Sequence, residues 1–272
     1  MKLGIVTNCW NTQLQSGTSL SELIEQARKR DYHVFELRQG ACGHYENHDS
    51  LYPLEDRLTE LPQQFPDCRF NIALGLPFLS SRIVEFDTLL SAGCRAACSL
   101  SGNHEPHLRL VDLHTPTSEL ESQGSPVGPL LQLIASLTTN QGFVSIENAK
   151  QSWSLFYGCF QTIRRQVSDK PGTFQLCYDP CNLLMASDHP DPQHVTEQLL
   201  ASELAMVHFK QAQKGRPVAT VASGDIDWPH QLETLQDKGF SGPGLLEIPP
   251  GEDIWSRLDQ SRDYIEAILG KA

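Results

Sequence analysis

No stretch of the 272-residue chain approaches the roughly 20 consecutive apolar residues of a membrane helix. The opening "MKLGIVTNCW" enters a strand-like run at once, with no basic region and apolar segment ahead of it, so no leader is expected. Excess positive charge is also missing: Lys and Arg number 21 against 33 Asp and Glu, a formal net charge of −12. Such a mean field repels duplex nucleic acid and anionic membrane surfaces, which leaves a small molecule as the expected partner. The eight cysteines form no CxxC pair and are scattered over a large chain, so they are expected to be reduced and the protein cytoplasmic. There is no low-complexity tract, no linker, and no internal repeat beyond the strand–helix period. A glycine-rich phosphate loop is absent after the first strand, where "TNCWNTQ" stands instead, which argues against a doubly wound sheet.

What is present is alternation. Short β-branched or apolar runs exchange with longer stretches of helical period, the pattern of βα units around a parallel sheet. Eight strands are predicted: 2–8, 33–39, 69–76, 107–114, 143–149, 174–180, 205–211 and 244–249. Their starts lie roughly 30 to 40 residues apart, the length of one strand, one helix and two loops. Thr18 or Ser19 could cap the helix in "TSLSELIEQARKR", and Asp225 or Asp227 the helix that closes at Gly239. The Pro- and Gly-rich patches 116–129 and 213–224 read as long loops after strands. The expected fold is a single-domain (β/α)8 TIM barrel over residues 1–272, with its active site in the loops beyond the strands' C-terminal ends.

Near those ends, strand five carries Glu147, strand six Asp179, strand seven His208 and strand eight Glu247. In a closed barrel these strands are neighbours around one rim, so the four side chains can converge. Three carboxylates and one imidazole suit a hard or borderline divalent ion, Mn²⁺ or Mg²⁺ first, with Co²⁺ or Zn²⁺ as alternatives. Without a cation the carboxylates would repel one another and some would stay protonated. His208 and Lys210 stand two apart in "VHFKQ" and therefore share a strand face, which sends both polar groups inward.

The motifs "IEN" (146–148), "YDPCN" (178–182), "VHFK" (207–210) and "GDIDW…L…L…KGFSGPGLLEI" (224–248) resemble, in order and spacing, the xylose isomerase-like TIM barrel superfamily of sugar isomerases and epimerases. The resemblance implies one divalent metal on Glu147, Asp179, His208 and Glu247, with Glu147 and Glu247 as the catalytic acid/base pair. Asn182 stands where many such epimerases carry a His and can still bond a hydroxyl. Lys214 stands where they carry an Arg, with Arg216 close by.

Other residues bear on the substrate. Glu36 and Arg38 share a face of strand two and could form a salt bridge; Asp112 and His114 share a face of strand four. If Arg38 and Lys210 are both free toward a ligand, they suit a carboxylate or phosphate, which favours a sugar acid over a neutral ketose. Trp10 and Phe78 could stack on an apolar substrate face or pack the rim. Arg38, Asn182, Lys210, His114 and Trp10 are thus the candidate substrate contacts, while Lys150 reads as a solvated loop lysine. His44 and His48, four apart but with no helix to align them, are read as loop residues rather than a second metal site, and Cys177 and Cys181 as small barrel fillers.

The expected function is a divalent-metal-dependent isomerase or epimerase of a small keto sugar or sugar acid, working through an enediolate. The alternative is a lyase of the same superfamily, either a decarboxylase of a 3-keto sugar acid or a dehydratase of a keto-polyol. A DNA-repair endonuclease is disfavoured by the acidic chain and the few histidines, and a binding protein without turnover by the retention of both glutamates. Self-association is compatible with this reading.

Overall fold

Alternation of residue type along each strand decides which side chains enter the barrel and which face the helices. In the computed structural model, which describes residues 1–116, 118, 127–169 and 172–270, eight parallel strands close a barrel. They are β1 (Leu3–Val6), β2 (Val34–Arg38), β3 (Arg69–Gly75), β4 (His107–Val111), β5 (Phe143–Glu147), β6 (Phe174–Tyr178), β7 (Leu204–Phe209) and β10 (Gly244–Leu246). All eight predicted strands are there, and the order around the barrel is β1-β10-β7-β6-β5-β4-β3-β2. The interior is layered: Val6, Val34, Cys177, Met206 and Leu245 form a small apolar plug. Above it the inward positions turn polar, with Glu36, Asn71, Arg109, Glu147 and His208, all buried. Residues of opposite parity, such as Phe35, Ile72, Leu110, Ile146 and Phe209, join the larger core between barrel and helices.

Helices cover that outer core with one stripe each. The helix Leu20–Arg28 buries Leu20, Leu23, Ile24 and Ala27, spaced three and four apart. Each of its larger aliphatic side chains contributes on the order of 2 kcal/mol. Ser19 rather than Thr18 is its cap, in a reciprocal capping box with Glu22. Asp227 rather than Asp225 caps the helix Trp228–Asp237. That helix stops at Gly239, whose φ of +76° suits only a residue without a Cβ.

Two long patches differ from the predicted loops, and for the first the cause is local. The patch 213–224 begins not as plain loop but as a hairpin, β8 (Ala212–Gln213) with β9 (Arg216–Pro217). Its two turn residues, Lys214 and Gly215, both have positive φ, the requirement of a type I′ turn. Of the patch 116–129, residues 117 and 119–126 lie outside the described residues, and from 127 it belongs to the helix Val127–Thr138. No helix among the described residues is long and apolar enough to cross a membrane. No disulfide joins any of the eight cysteines, all of which lie among the described residues.

Candidate metal centre and active site

The barrel delivers the four metal-competent side chains from slightly different heights. Glu147 is the last residue of β5 and His208 the penultimate residue of β7. Asp179 and Glu247 are the first residues beyond β6 and β10. Asp179 is fixed locally, because its side chain accepts from Asn182 N–H at 3.0 Å and so caps the turn Pro180–Leu183. Its N–H donates to Asn148 Oδ1 at 2.9 Å, and Asn148 Nδ2 donates back to its carbonyl at 2.8 Å. These ties seat Asp179 beside Glu147. One ligand atom from each of Glu147, Asp179, His208 and Glu247 lies within 4.8 Å of all the others.

Glu247 is gripped by one oxygen and presents the other, while Glu147 accepts hydrogen bonds at both. Glu147 Oε2 accepts from Arg109 Nη1, a buried ion pair. Glu147 Oε1 accepts from Asn182 Nδ2 at 3.1 Å and stands 3.4 Å from His208 Nδ1. Glu247 Oε1 accepts from Asn8 Nδ2 at 2.7 Å, and its Oε2 lies 3.0 Å from His208 Nδ1. Glu36 is occupied at both oxygens: Oε1 by Arg109 Nη2, Oε2 by Arg109 Nε at 3.1 Å and by Asn71 Nδ2 at 2.9 Å.

Lys210 reaches into the middle of the group. Its Nζ stands 2.7 Å from Asp179 Oδ2, 2.7 Å from Glu247 Oε2 and 3.7 Å from Glu147 Oε1. It meets the two nearer oxygens off the hydrogen-bonding directions, so Asp179 Oδ2, Glu247 Oε2 and both His208 nitrogens remain buried without a hydrogen bond. Three of these atoms, Asp179 Oδ2, Glu247 Oε2 and His208 Nδ1, face the shared centre and fit a cation held there, whereas His208 Nε2 turns to Glu36 at 3.4 Å. The oxygen-rich set with one imidazole fits a divalent ion.

Electrostatics follow from this packing. Burial works against the Glu247 carboxylate, but Lys210 and then His208 outweigh it and hold its pKa well below the usual range. Glu147 is lowered against its burial by Arg109, His208 and Lys210. Glu36 is lowered in the same way, by Arg109 and then His208. Asp179 is raised, first by burial and then by the adjacent Glu147 and Glu247, which Lys210 only partly offsets. Burial disfavours the charged form of His208, yet Cys177, Glu36 and Glu147 raise it well above the ordinary imidazole value. Burial pushes the Cys177 thiol itself up to about 12, so at neutral pH the carboxylates supply that attraction.

The model of the xylose isomerase-like TIM barrel family matches residues 132–267, half of the chain and the half that carries all four convergent side chains. The chain belongs to that family. No curated protein matches it in sequence. Among solved structures, the IolI protein with a binding zinc atom is 16% identical, with a TM-score of 0.68 over 99% of this chain and 96% of the other. The probable 3-DHS dehydratase AsbF of Bacillus anthracis, involved in petrobactin synthesis, is 13% identical, with a TM-score of 0.72 over 98% and 99%. A D-tagatose 3-epimerase-like protein is 14% identical, with a TM-score of 0.68 over 100% and 99%. At these identities the likeness is one of fold.

Within this xylose isomerase-like barrel the other sequence-predicted residues take different places. Trp10 is fully buried against Phe35 and Trp255 at 6.0 and 5.7 Å, in the layer between barrel and helices, which corrects its expected place at a substrate face. Phe78 is buried as well. Asn182 Nδ2 is taken by Glu147 and by Asn148 O, so it positions Glu147. His114 is exposed, and among the described residues nothing joins its ring to the four. Asp112 organises the loop instead, accepting from Leu79 N, His114 N, Thr115 N and Thr115 Oγ1. His44 and His48 are exposed and belong to no cluster of metal-competent groups among the described residues. Lys150, Lys214 and Arg216 are exposed too. Cys177 fills the barrel interior, whereas Cys181 packs in the outer core.

Of the two readings left open for Glu36 and Arg38, the mutual bridge does not form, because Arg109 takes Glu36. Sequence reasoning missed Arg109, Asn8 and Asn71. A signal for Arg109 was there: a charge inside the apolar run "HLRLV", on the same parity logic that singled out His208.

Proposed function

We propose that this barrel mouth carries out divalent-metal-dependent isomerisation or epimerisation of a small keto sugar or sugar acid through an enediolate. The observation that carries the reading is the pair Glu147 and Glu247. Each has one oxygen tied to the scaffold, by Arg109 and by Asn8, and one turned toward the shared centre. Such a pair can take a proton from one face of a carbon and return one to the other. A divalent cation on Glu147, Asp179, His208 and Glu247 would supply electrophilic stabilisation of the oxygen charge that develops beside that carbon. Arg109 keeps Glu147 ionised and aimed, Asn182 fixes its second oxygen, and burial of the group excludes competing water.

The test is solvent deuterium exchange at the carbon next to the carbonyl, followed by NMR on Mn²⁺-loaded protein with a panel of ketoses and keto acids. Glu147→Gln and Glu247→Gln should each lower exchange by about 10²-fold or more. Exchange retained in both variants sinks the acid/base assignment. A lyase is the second reading, supported by the presence of a probable dehydratase among the structures that share this fold. Release of CO₂ or an unsaturated product in place of an isomer would identify it.

A further inference from the structure

Three cations of the mouth differ in one respect. Arg109 is locked to Glu36 and Glu147, and Lys210 to Asp179 and Glu247. Arg38, the last residue of β2 and on the same inward face as Glu36, has no partner for its guanidinium among the described residues. The backbone beneath it is fixed: its N–H donates to Thr7 Oγ1 at 2.9 Å, and its carbonyl accepts from Ala41 N at 2.8 Å. The head group lies over Gly75, where a Cβ would stand 3.2 Å from each Nη atom, so a side chain at 75 would crowd the position.

Glu36 is the only carboxylate on the same strand, and it cannot swing across without giving up Arg109 and Asn71 at both of its oxygens. Burial, and then repulsion from Arg109, work against the charged form of Arg38, while Glu147, Glu247 and Glu36 favour it. An arginine does not lose its proton under these conditions, and a half-buried guanidinium without a counter-ion is costly to keep. Its planar fork matches a carboxylate or a phosphate oxygen pair.

We infer that the substrate of this mouth carries an anionic group, carboxylate or phosphate, and that Arg38 seats it while the carbonyl end faces Glu147 and Glu247. This rests on the proposed reading of the site and narrows its substrate class to sugar acids or sugar phosphates. Neutral ketoses are excluded as the preferred ligand. Arg38 is then the specificity-determining residue. Lys210, held by two carboxylates, is not.

The experiment is calorimetric titration of the Mn²⁺-loaded protein with three probes of related carbon skeleton: fructose, fructuronate and fructose 6-phosphate. Deuterium exchange is followed in parallel. In the wild type at least one anionic probe should bind tenfold or more tightly than fructose, and the better one tells carboxylate from phosphate. Arg38→Gln should weaken binding of that anionic probe tenfold or more and so erase its preference over fructose. Arg38→Met, which keeps much of the aliphatic stem, serves if the first variant folds poorly. Absence of an anionic preference in the wild type, or a preference that survives both substitutions, overturns the inference even if exchange is seen. An Arg38-dependent preference without exchange keeps the anchor and removes the proton-transfer reading instead.

Discussion

Lys210→Met should make the metal-free protein less stable and a divalent ion easier to bind. Each 2.7 Å contact from Lys210 Nζ to Asp179 and Glu247 has a gross attraction of about 6 kcal/mol at an effective dielectric of ~20. Desolvation of three charged groups offsets most of this. Removing one partner of a buried pair typically costs about 3–5 kcal/mol. The Lys210 side chain keeps 19% of its surface exposed, which places the loss near the lower end, about 3 kcal/mol. For a domain of this size that lowers Tm by roughly 6–12 °C. In the wild type an entering divalent cation meets the ammonium already among its ligands, so without the ammonium its affinity should rise tenfold or more. Scanning calorimetry of EDTA-treated protein, with and without Mn²⁺, and calorimetric titration of Mn²⁺ read both quantities. A metal-free variant that melts with the wild type, or one that binds Mn²⁺ more weakly, would refute Lys210 as the internal counter-cation of this cluster.

Asp179→Ala combined with His208→Ala should abolish Mn²⁺ binding, measured by plasma mass spectrometry on dialysed protein; undiminished metal content would move the site elsewhere. Arg109→Met leaves Glu36 and Glu147 buried without their shared cation and should cost on the order of 3–5 kcal/mol, visible in urea unfolding. Glu36→Gln should flatten the acid limb of the stability–pH curve. The native pKa of Glu36 is depressed, so its contribution is complete above the ordinary carboxylate range and lost as pH falls through the native value. An unchanged acid limb would contradict that. Ser19→Ala, far from the mouth, should lose about 1 kcal/mol through the cap and leave Mn²⁺ affinity unaltered.

Much of this was legible along the chain because period-2 alternation is local. Parity in "VHFKQ" placed His208 and Lys210 on the inner face, and the same parity in the other strands put Glu147 and Glu36 there. Predicted strand ends ran two residues too far at Asp179 and three at Glu247. Apolar runs do not show where a backbone leaves the ladder, and in Asp179 the carboxylate caps the following turn. Trp10 was misjudged for a related reason: it follows β1 in a 3₁₀ turn, whose direction no strand pattern reports.

The sequence by itself determined the eight βα units, the closed barrel they imply, and the four residues at the ends of consecutive strands that belong to one rim. Only the tertiary structure decided who pairs with whom inside it. Arg109 on β4 reaches Glu36 on β2 and Glu147 on β5, 73 and 38 residues away, and by taking Glu36 it leaves Arg38 open. Lys210 closes on Asp179 and Glu247 rather than facing a ligand. Long charged side chains choose partners by strand register and by the few ångströms between neighbouring strand ends. Those distances exist only once the barrel has closed.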